Sequence, residues 1–461
     1  MKRLLASLGA LALGGCMSLD PAYQQPAAPV PPQWPTGDPY LAEAPALASF
    51  SHRDVFRDPR LQTLIAQALE NNRDLRIAAA NIAAARAQVR IARGAQLPQV
   101  GSSASIDANP RRDSSGETNG VQFSPSISVL PSFEIDLFGR LASLTRAQQE
   151  RLFATGAAAR ATRAALIGDI AETWLNHAAD SSLLAIAEDT VRTAERSRAL
   201  TEARLRGGVA PRTDLLQAQQ ILETARDDLA EQRALRAQDA NLLQLLVGAP
   251  VDPSLLPTSL DQAAPTIAAL PAGLDSRILL RRPDVIRAEY ELRAANAEIG
   301  AARAALFPSI SLTGLLGFAS DTLGGLFSGG AFNWSAGPGV STSIFSGGAR
   351  SAVVAVRRAE QQAAVASYER TIQASFREVA DALAARSTLA DRVAANQRNA
   401  QAANETLRLV TARYREGIDP FLNTLDAQRS AYSAQRNLVT VRLAQAQNGV
   451  EVYRALGGDG L

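Results

Sequence analysis

Side chains able to do chemistry are scarce in this chain, and those present are scattered. Cys16 is the single cysteine, His52 and His177 are the two histidines, and Lys2 is the only lysine among 461 residues. Two isolated histidines without a His-Glu-x-x-His motif give no zinc-binding pattern, and a lone cysteine forms no intramolecular disulfide. A phosphate-binding loop or a Schiff base needs a lysine, and the only one lies at the extreme N-terminus. Gly337-Pro338-Gly339 begins like a nucleotide-binding loop but lacks the third glycine and sits inside a strand pattern. Asp and Glu are spread along helical stretches with Arg three or four residues away, the spacing of surface pairs. No residue is nominated as catalytic and no metal is expected. The formal charge is +2, and without residues 1–15, which carry Lys2 and Arg3, basic and acidic residues balance. Such a chain has no surplus to attract nucleic acid.

The N-terminus reads as an address. Lys2-Arg3 precedes an apolar run, residues 4–13, that is too short for a bilayer-spanning helix of about 20 residues and fits a secretory signal. It ends in Leu13-Gly14-Gly15-Cys16, which resembles the bacterial lipobox. That resemblance implies cleavage before Cys16 and acylation of its thiol and new amino group, so covalent lipid on Cys16 is the one attached group expected and no cofactor is. Met17-Ser18 follows; the aspartate that favours inner-membrane retention is missing there, which leans toward the outer membrane. Eight prolines between residues 20 and 45 forbid helix and give an extended strap.

The elements that follow occur twice. Ala203-Arg204-Leu205-Arg206-Gly207-Gly208 returns as Ala412-Arg413-Tyr414-Arg415-Glu416-Gly417, an offset of 209, and Leu97-Pro98-Gln99 returns as Phe307-Pro308-Ser309, an offset of 210. The expected divisions are a signal peptide (1–15), an acylated strap (16–55), a first repeat (56–250), a linker (251–273) and a second repeat (274–461). Each repeat reads as helix, two strands, very long helix, tight turn and helix. The first helix is expected over 60–93 and its twin over 276–305.

From Val121 the odd positions are apolar or proline, and the even ones are mostly Ser, Gln, Glu and Asp. Val100, Ala104, Ile106 and Ala108 alternate likewise, as do Ile310, Leu312, Leu316 and Phe318, then Phe332, Trp334, Ala336 and Val340. Period two marks strands with one greasy and one wet face, in hairpins at about 97–138 and 307–346. A half-buried soluble sheet has this pattern; so does a transmembrane β-barrel, with lipid on one side and water on the other. Four strands do not close a barrel, which needs about eight or more. Spanning strands would therefore require several chains in one ring.

Long helices are expected over about 141–205 and 349–415, each near 100 Å at 1.5 Å per residue. Apolar seams run along them, with Leu166, Ile170 and Trp174 in the first and Val365, Tyr368, Ile372, Phe376, Val379 and Leu383 in the second. Both end in a Gly-then-Pro turn, the first tip at 206–214 and the second at 415–423. Asp214 and Asp419 are placed to cap the return helices.

The element order, the duplication, the lipobox and the two tips together resemble the TolC-like outer-membrane efflux channels, in the lipoprotein branch that includes OprM and NodT. The most specific pieces are Asp214-Leu215-Leu216-Gln217-Ala218-Gln219 and Arg413-Tyr414-Arg415-Glu416-Gly417 with Leu425-Asp426-Ala427-Gln428. The resemblance implies a mixed α and β membrane protein: a homotrimer with a 12-stranded β-barrel, four strands per chain, in outer-membrane lipid, on a long periplasmic α-helical barrel. It implies a passive duct serving a periplasmic adaptor and an inner-membrane pump of the resistance–nodulation–division type. Arg206, Gly208 and Asp214, with Arg415 and Gly417, fit the adaptor-docking tips. Leu422 and Asp426 fit a periplasmic gate, a hydrophobic and an acidic ring, with Asp419 as a further gate residue. Gln217 stands where Asp426 does in the other repeat, so the acidic ring would be single. A type I secretion duct, or a non-conducting coiled-coil lipoprotein, are the competing readings.

Overall fold

In a computed structural model of the chain, residues 18–35, 51–112, 116, 118–268 and 276–460 are described, and Cys16 lies outside them. The main elements are α1 (Pro59–Asn71), α2 (Arg73–Gly94), β1 (Gln99–Arg112), β2 (Thr118–Ile135), α3 (Arg140–Arg206), α4 (Arg212–Val247), α5 (Pro283–Ala304), β3 (Ser309–Ala319), β4 (Phe332–Ser341), α6 (Ala349–Arg415) and α7 (Phe421–Ala455). α3 and α6 have 67 residues each, and α2 and α5 have 22 each. The chain divides into two compact units, one of Met1–Ala27, Ala80–Gly156 and Arg287–Glu369, the other of Ala28–Ala79, Ala157–Ile286 and Arg370–Leu461.

The first unit holds one antiparallel sheet in the order β1-β2-β3-β4. Register aligns the greasy positions across all four strands: Ala104, Ile127, Phe318 and Phe332 form one row, and Val129, Leu316 and Trp334 another. The opposite face carries Ser103, Ser128, Gly317 and Asn333 in one row and Glu134, Ser311 and Gly339 in another. Leu130 and Leu315 depart from alternation on the wet face, and Ser102, paired with Val129, on the greasy one.

An extended strap lies on this unit's helices. Asp20 accepts from Ser143 Oγ at 2.6 Å and from Arg146 Nε at 2.8 Å. Asn296 Nδ2 donates to Pro21 O at 2.8 Å, and the Arg293 guanidinium sits 5.0 Å from the Tyr23 ring centre. Gly300 makes the approach feasible, because any side chain there would run into the Asp20 carboxylate. Gly300→Ala is expected to lift the strap at a cost of about 1–3 kcal/mol, the usual range for overpacking. Limited proteolysis checks it: cleavage within residues 18–27 should become roughly tenfold faster or more, and an unchanged rate would contradict the fit.

The second unit is built on fully buried Trp174, Tyr453, Phe56, Leu61, Leu64 and Ile170. Of the seam read on α6, Ile372, Val379 and Leu383 are buried and Phe376 stacks on Trp34 at 4.7 Å, while Tyr368 is buried within the first unit and Val365 is half-buried. The first helix is not continuous over 60–93. Asn72 breaks it, its Oδ1 accepting from Asp74 N at 2.8 Å and Leu75 N at 3.1 Å while its Nδ2 donates to Leu246 O at 2.8 Å. The counterpart over 276–305 opens as a 3-10 turn, Ser276–Arg281, with α5 beginning only at Pro283. There the buried Arg282 guanidinium joins Asp284 at 2.7 Å, Glu378 at 2.9 Å and Ala455 O at 2.5 Å. The described part of the segment between the repeats, residues 251–268, is folded too, with short turns at Pro253–Leu255 and Leu260–Ala263 laid on the core.

Candidate functional site

Two surfaces of the chain are built for contact, the greasy face of the sheet and the paired helical tips. On the sheet, apolar side chains are left in the open: Val100 and Trp334 are each 69% exposed and Phe123 is 55% exposed. Among the described residues the outer edges of β1 and β4 have no partner strand. An exposed row of backbone donors and acceptors beside an exposed apolar face is unstable in water and, unpaired, costs several kcal/mol per group in lipid. β2 passes into α3 through Gly139, in left-handed conformation at φ 71°. Arg140 grips Glu134 with two nitrogens, at 2.7 to 3.0 Å, and Asp136 Oδ2 accepts from Ala142 N at 2.8 Å. Among the described residues no helix is long and apolar enough to cross a membrane.

The tips are set by the same local rule in both repeats. Gly208 (φ 68°) and Gly417 (φ 76°) end the long helices in the left-handed region, and Pro211 and Pro420 start the return helices. Those prolines occupy the N-cap positions, with no side-chain cap, so Asp214 and Asp419 do not cap as expected from sequence. Asp419 is instead held by Arg413, Nε to Oδ2 at 2.7 Å and Nη2 to Oδ1 at 3.1 Å. That pairing keeps its carboxyl below the usual carboxylate range. Asp214 lies in the first turn of α4, half-buried, where the helix dipole favours a negative charge. Arg206, Gly208, Arg415 and Gly417 are all exposed. Leu422, 55% exposed, and Asp426 lie one turn apart on α7 and both face outward.

Residues not singled out from sequence hold this end together. Arg204 Nη1 donates to Tyr414 O at 2.6 Å, and its guanidinium lies 4.6 Å from the Tyr414 ring centre. Tyr414 packs on Phe421 at 5.3 Å, in a cluster with Ala218 and Leu425. Tyr414 replaces Leu205 of the first repeat, and that asymmetry inside an otherwise repeated motif was the available signal. Val209 and Ile418, also 209 apart, are 67% and 62% exposed, one greasy side chain at each tip.

The two histidines are tied into structure. His52 Nδ1 meets Asp459 Oδ2 at 2.6 Å, and His177 is buried, which lowers its pKa. Gly337-Pro338-Gly339 lies inside β4.

Comparison with known proteins agrees with this anatomy. The model of the family described as outer membrane efflux protein matches the chain twice, over residues 64–249 and 274–458. The toluene efflux pump outer membrane protein TtgC of Pseudomonas putida is 43% identical over 469 residues, covering 99% of this chain and 96% of that protein. The cation efflux system protein CusC of Escherichia coli O157:H7 is 39% identical over 463 residues, covering 99% and 98%. A crystal structure of CusC, described in terms of folding and transmembrane channel formation, superposes with a TM-score of 0.82 at 37% identity, covering 96% of this chain and all of that one. Matched in both repeats and over nearly its full length, this chain of helices and four strands belongs to the outer membrane efflux protein family.

Proposed function

We propose that this chain is one subunit of a passive outer-membrane exit duct, through which small molecules delivered by an inner-membrane pump and a periplasmic adaptor leave the cell. The observation that carries the reading is the four-stranded sheet with one largely apolar, exposed face and two edges without a partner strand among the described residues. Three copies joined β1 to β4 would make 12 strands, enough to close a barrel with lipid outside and the Ser- and Gly-lined face around water. The long helices would extend the duct into the periplasm, and acyl chains on Cys16 would anchor the strap. The names of two relatives, one for toluene and one for cations, support a small-molecule cargo over a polypeptide. The chain supplies no energy source of its own, so the pump would drive transport and select the cargo. Single-channel recording in planar bilayers, with electron microscopy of the same particles, tests the proposal. Conductance steps from three-fold tubes are expected; monomers without conductance would end it.

The tips divide into a gate and a docking surface. Leu422 and Asp426 of three copies would form adjacent rings at the periplasmic mouth, where an acidic ring favours cations. Asp426→Ala should raise conductance and lower cation preference by about severalfold, and an unaltered current–voltage curve would remove Asp426 from the gate. Asp419, engaged by Arg413, would hold the tip rather than line the pore. Exposed Val209 and Ile418, each three residues after an exposed arginine (Arg206 and Arg415), offer the adaptor a greasy contact with a positive charge nearby in sequence. Charge reversal at Arg206 or Arg415 should weaken adaptor pull-down while leaving the trimer intact; equal loss of both would assign these arginines to structure instead.

A further inference from the structure

The two repeats finish one face of their long hairpins differently. In the first, the chain leaving α4 folds back over α3: Trp174 Nε1 donates to Leu255 O at 3.0 Å and Ser181 Oγ to Pro257 O at 3.5 Å, sealing His177 beneath. Adding 209 to His177 and Ser181 gives Arg386 and Ala390 on α6; adding it to Arg236, Asp239 and Leu243 gives Gln445, Asn448 and Val452 on α7. These five counterparts line a cavity of about 630 Å³, rimmed by residues 260–268. The place that is filled in the first repeat is open in the second.

Arg386 is the unusual member of that wall. Its Nη1 is buried and meets no acceptor among the described residues. The other guanidinium there, Arg442, is taken by Asp261 at 2.7 Å, and Asn448 Nδ2 is taken by Ala382 O at 2.8 Å. Among the described residues the cavity therefore holds one positive charge without a counter-ion. Burial without a counter-ion lowers the Arg386 pKa, the reverse of buried Arg282, whose acids Asp284 and Glu378 help to raise it. A cation withdrawn from water is costly until an anion meets it. Leu389, Val393 and Ile267 supply apolar wall beside the polar Ser387 and Gln445, and the volume is that of a small-molecule site.

We propose that this cavity binds a small organic anion, a carboxylate on an apolar body, with the charged end on Arg386 and the body against Leu389, Val393 and Ile267. The site is lined by residues of a single chain and does not depend on the duct reading. Calorimetric titration of the full-length protein in non-ionic detergent with sodium hexanoate tests it. Saturable binding at one site per chain is expected, weakened about tenfold or more by Arg386→Gln, which removes a charged hydrogen bond, and abolished by Ala390→Phe, which fills the cavity. Hexanol, the uncharged analogue, should bind at least about tenfold more weakly. Channel conductance of Arg386→Gln should equal that of the natural protein, so loss of this proposal and loss of the duct reading are told apart. The proposal falls if hexanoate gives no saturable heat or binds Arg386→Gln equally well. It also falls if inorganic phosphate binds as tightly, or if Arg386→Gln fails to assemble, since Arg386 would then be a contact between copies.

Discussion

Leu316→Arg should abolish the assembled channel, while Ser128→Arg, on the opposite face of the neighbouring strand, should leave it assembled. Leu316 lies between Val129 and Trp334 in one of the apolar rows. An arginine turned to lipid near the bilayer midplane costs about 2–4 kcal/mol, and a ring of identical subunits would bear that cost in every copy. Ser128 is paired with Ser103 and Gly317 on the wet face, where an arginine would meet water and alter ion selectivity instead. The measurement is the heat-resistant oligomer on a gel after membrane fractionation. Assembly of Leu316→Arg at the natural level, or equal failure of both variants, would mean that the exposed apolar face does not meet lipid.

The second large effect concerns a pair of carboxyls in the first repeat. Asp180 on α3 and Asp239 on α4 are neighbours, with one Asp239 oxygen buried and without a hydrogen-bond partner among the described residues. Burial, with the Asp180 charge next to it, pushes the Asp239 carboxyl up to about 7. A carboxyl whose folded pKa is raised favours the protonated form, so its contribution is full below about pH 4 and is lost as pH rises from there to about 7. At pH 8 two neighbouring charges oppose the packing of α3 on α4. The second repeat shows the remedy, because its counterpart is Asn448, whose amide donates to Ala382 O at 2.8 Å. Asp239→Asn should stabilise each chain by roughly 1–3 kcal/mol at pH 8 and change little at pH 4. The unfolding midpoint of the helical signal at the two pH values checks this, and a shift independent of pH would show that the pair does not titrate as described.

Which features could be read from sequence follows from how local their causes are. The strands announce themselves because period two is written in consecutive residues, and Phe318 and Phe332 fall in register as that period requires. The long helices and tips are equally local, since Gly208 and Gly417 terminate and Pro211 and Pro420 restart them. The break at Asn72 is hidden among good helix formers, although Asn72-Arg73-Asp74 carries a cap residue with an acid two positions on. Capping by Asp214 and Asp419 fails because each proline already occupies the cap position. The Arg204–Tyr414 clasp and the open Arg386 cavity depend on residues about 60 to 210 positions apart, and no window of sequence brings them together. Of the surfaces assigned to function, the lipid face was legible in its pattern, whereas the tip residues came from motif resemblance and the greasy Val209 and Ile418 were overlooked.

The unpaired margins of β1 and β4 carry a genetic corollary. Because the left margin of one subunit must be satisfied by the right margin of a different copy, a polypeptide with one good margin and one spoiled margin would still be recruited and would poison its companions. At equal expression with the natural allele and random mixing into threes, about one particle in eight would be free of the spoiled product. Alleles damaged along a single strand should therefore behave as dominant, whereas alleles that yield no protein should be recessive.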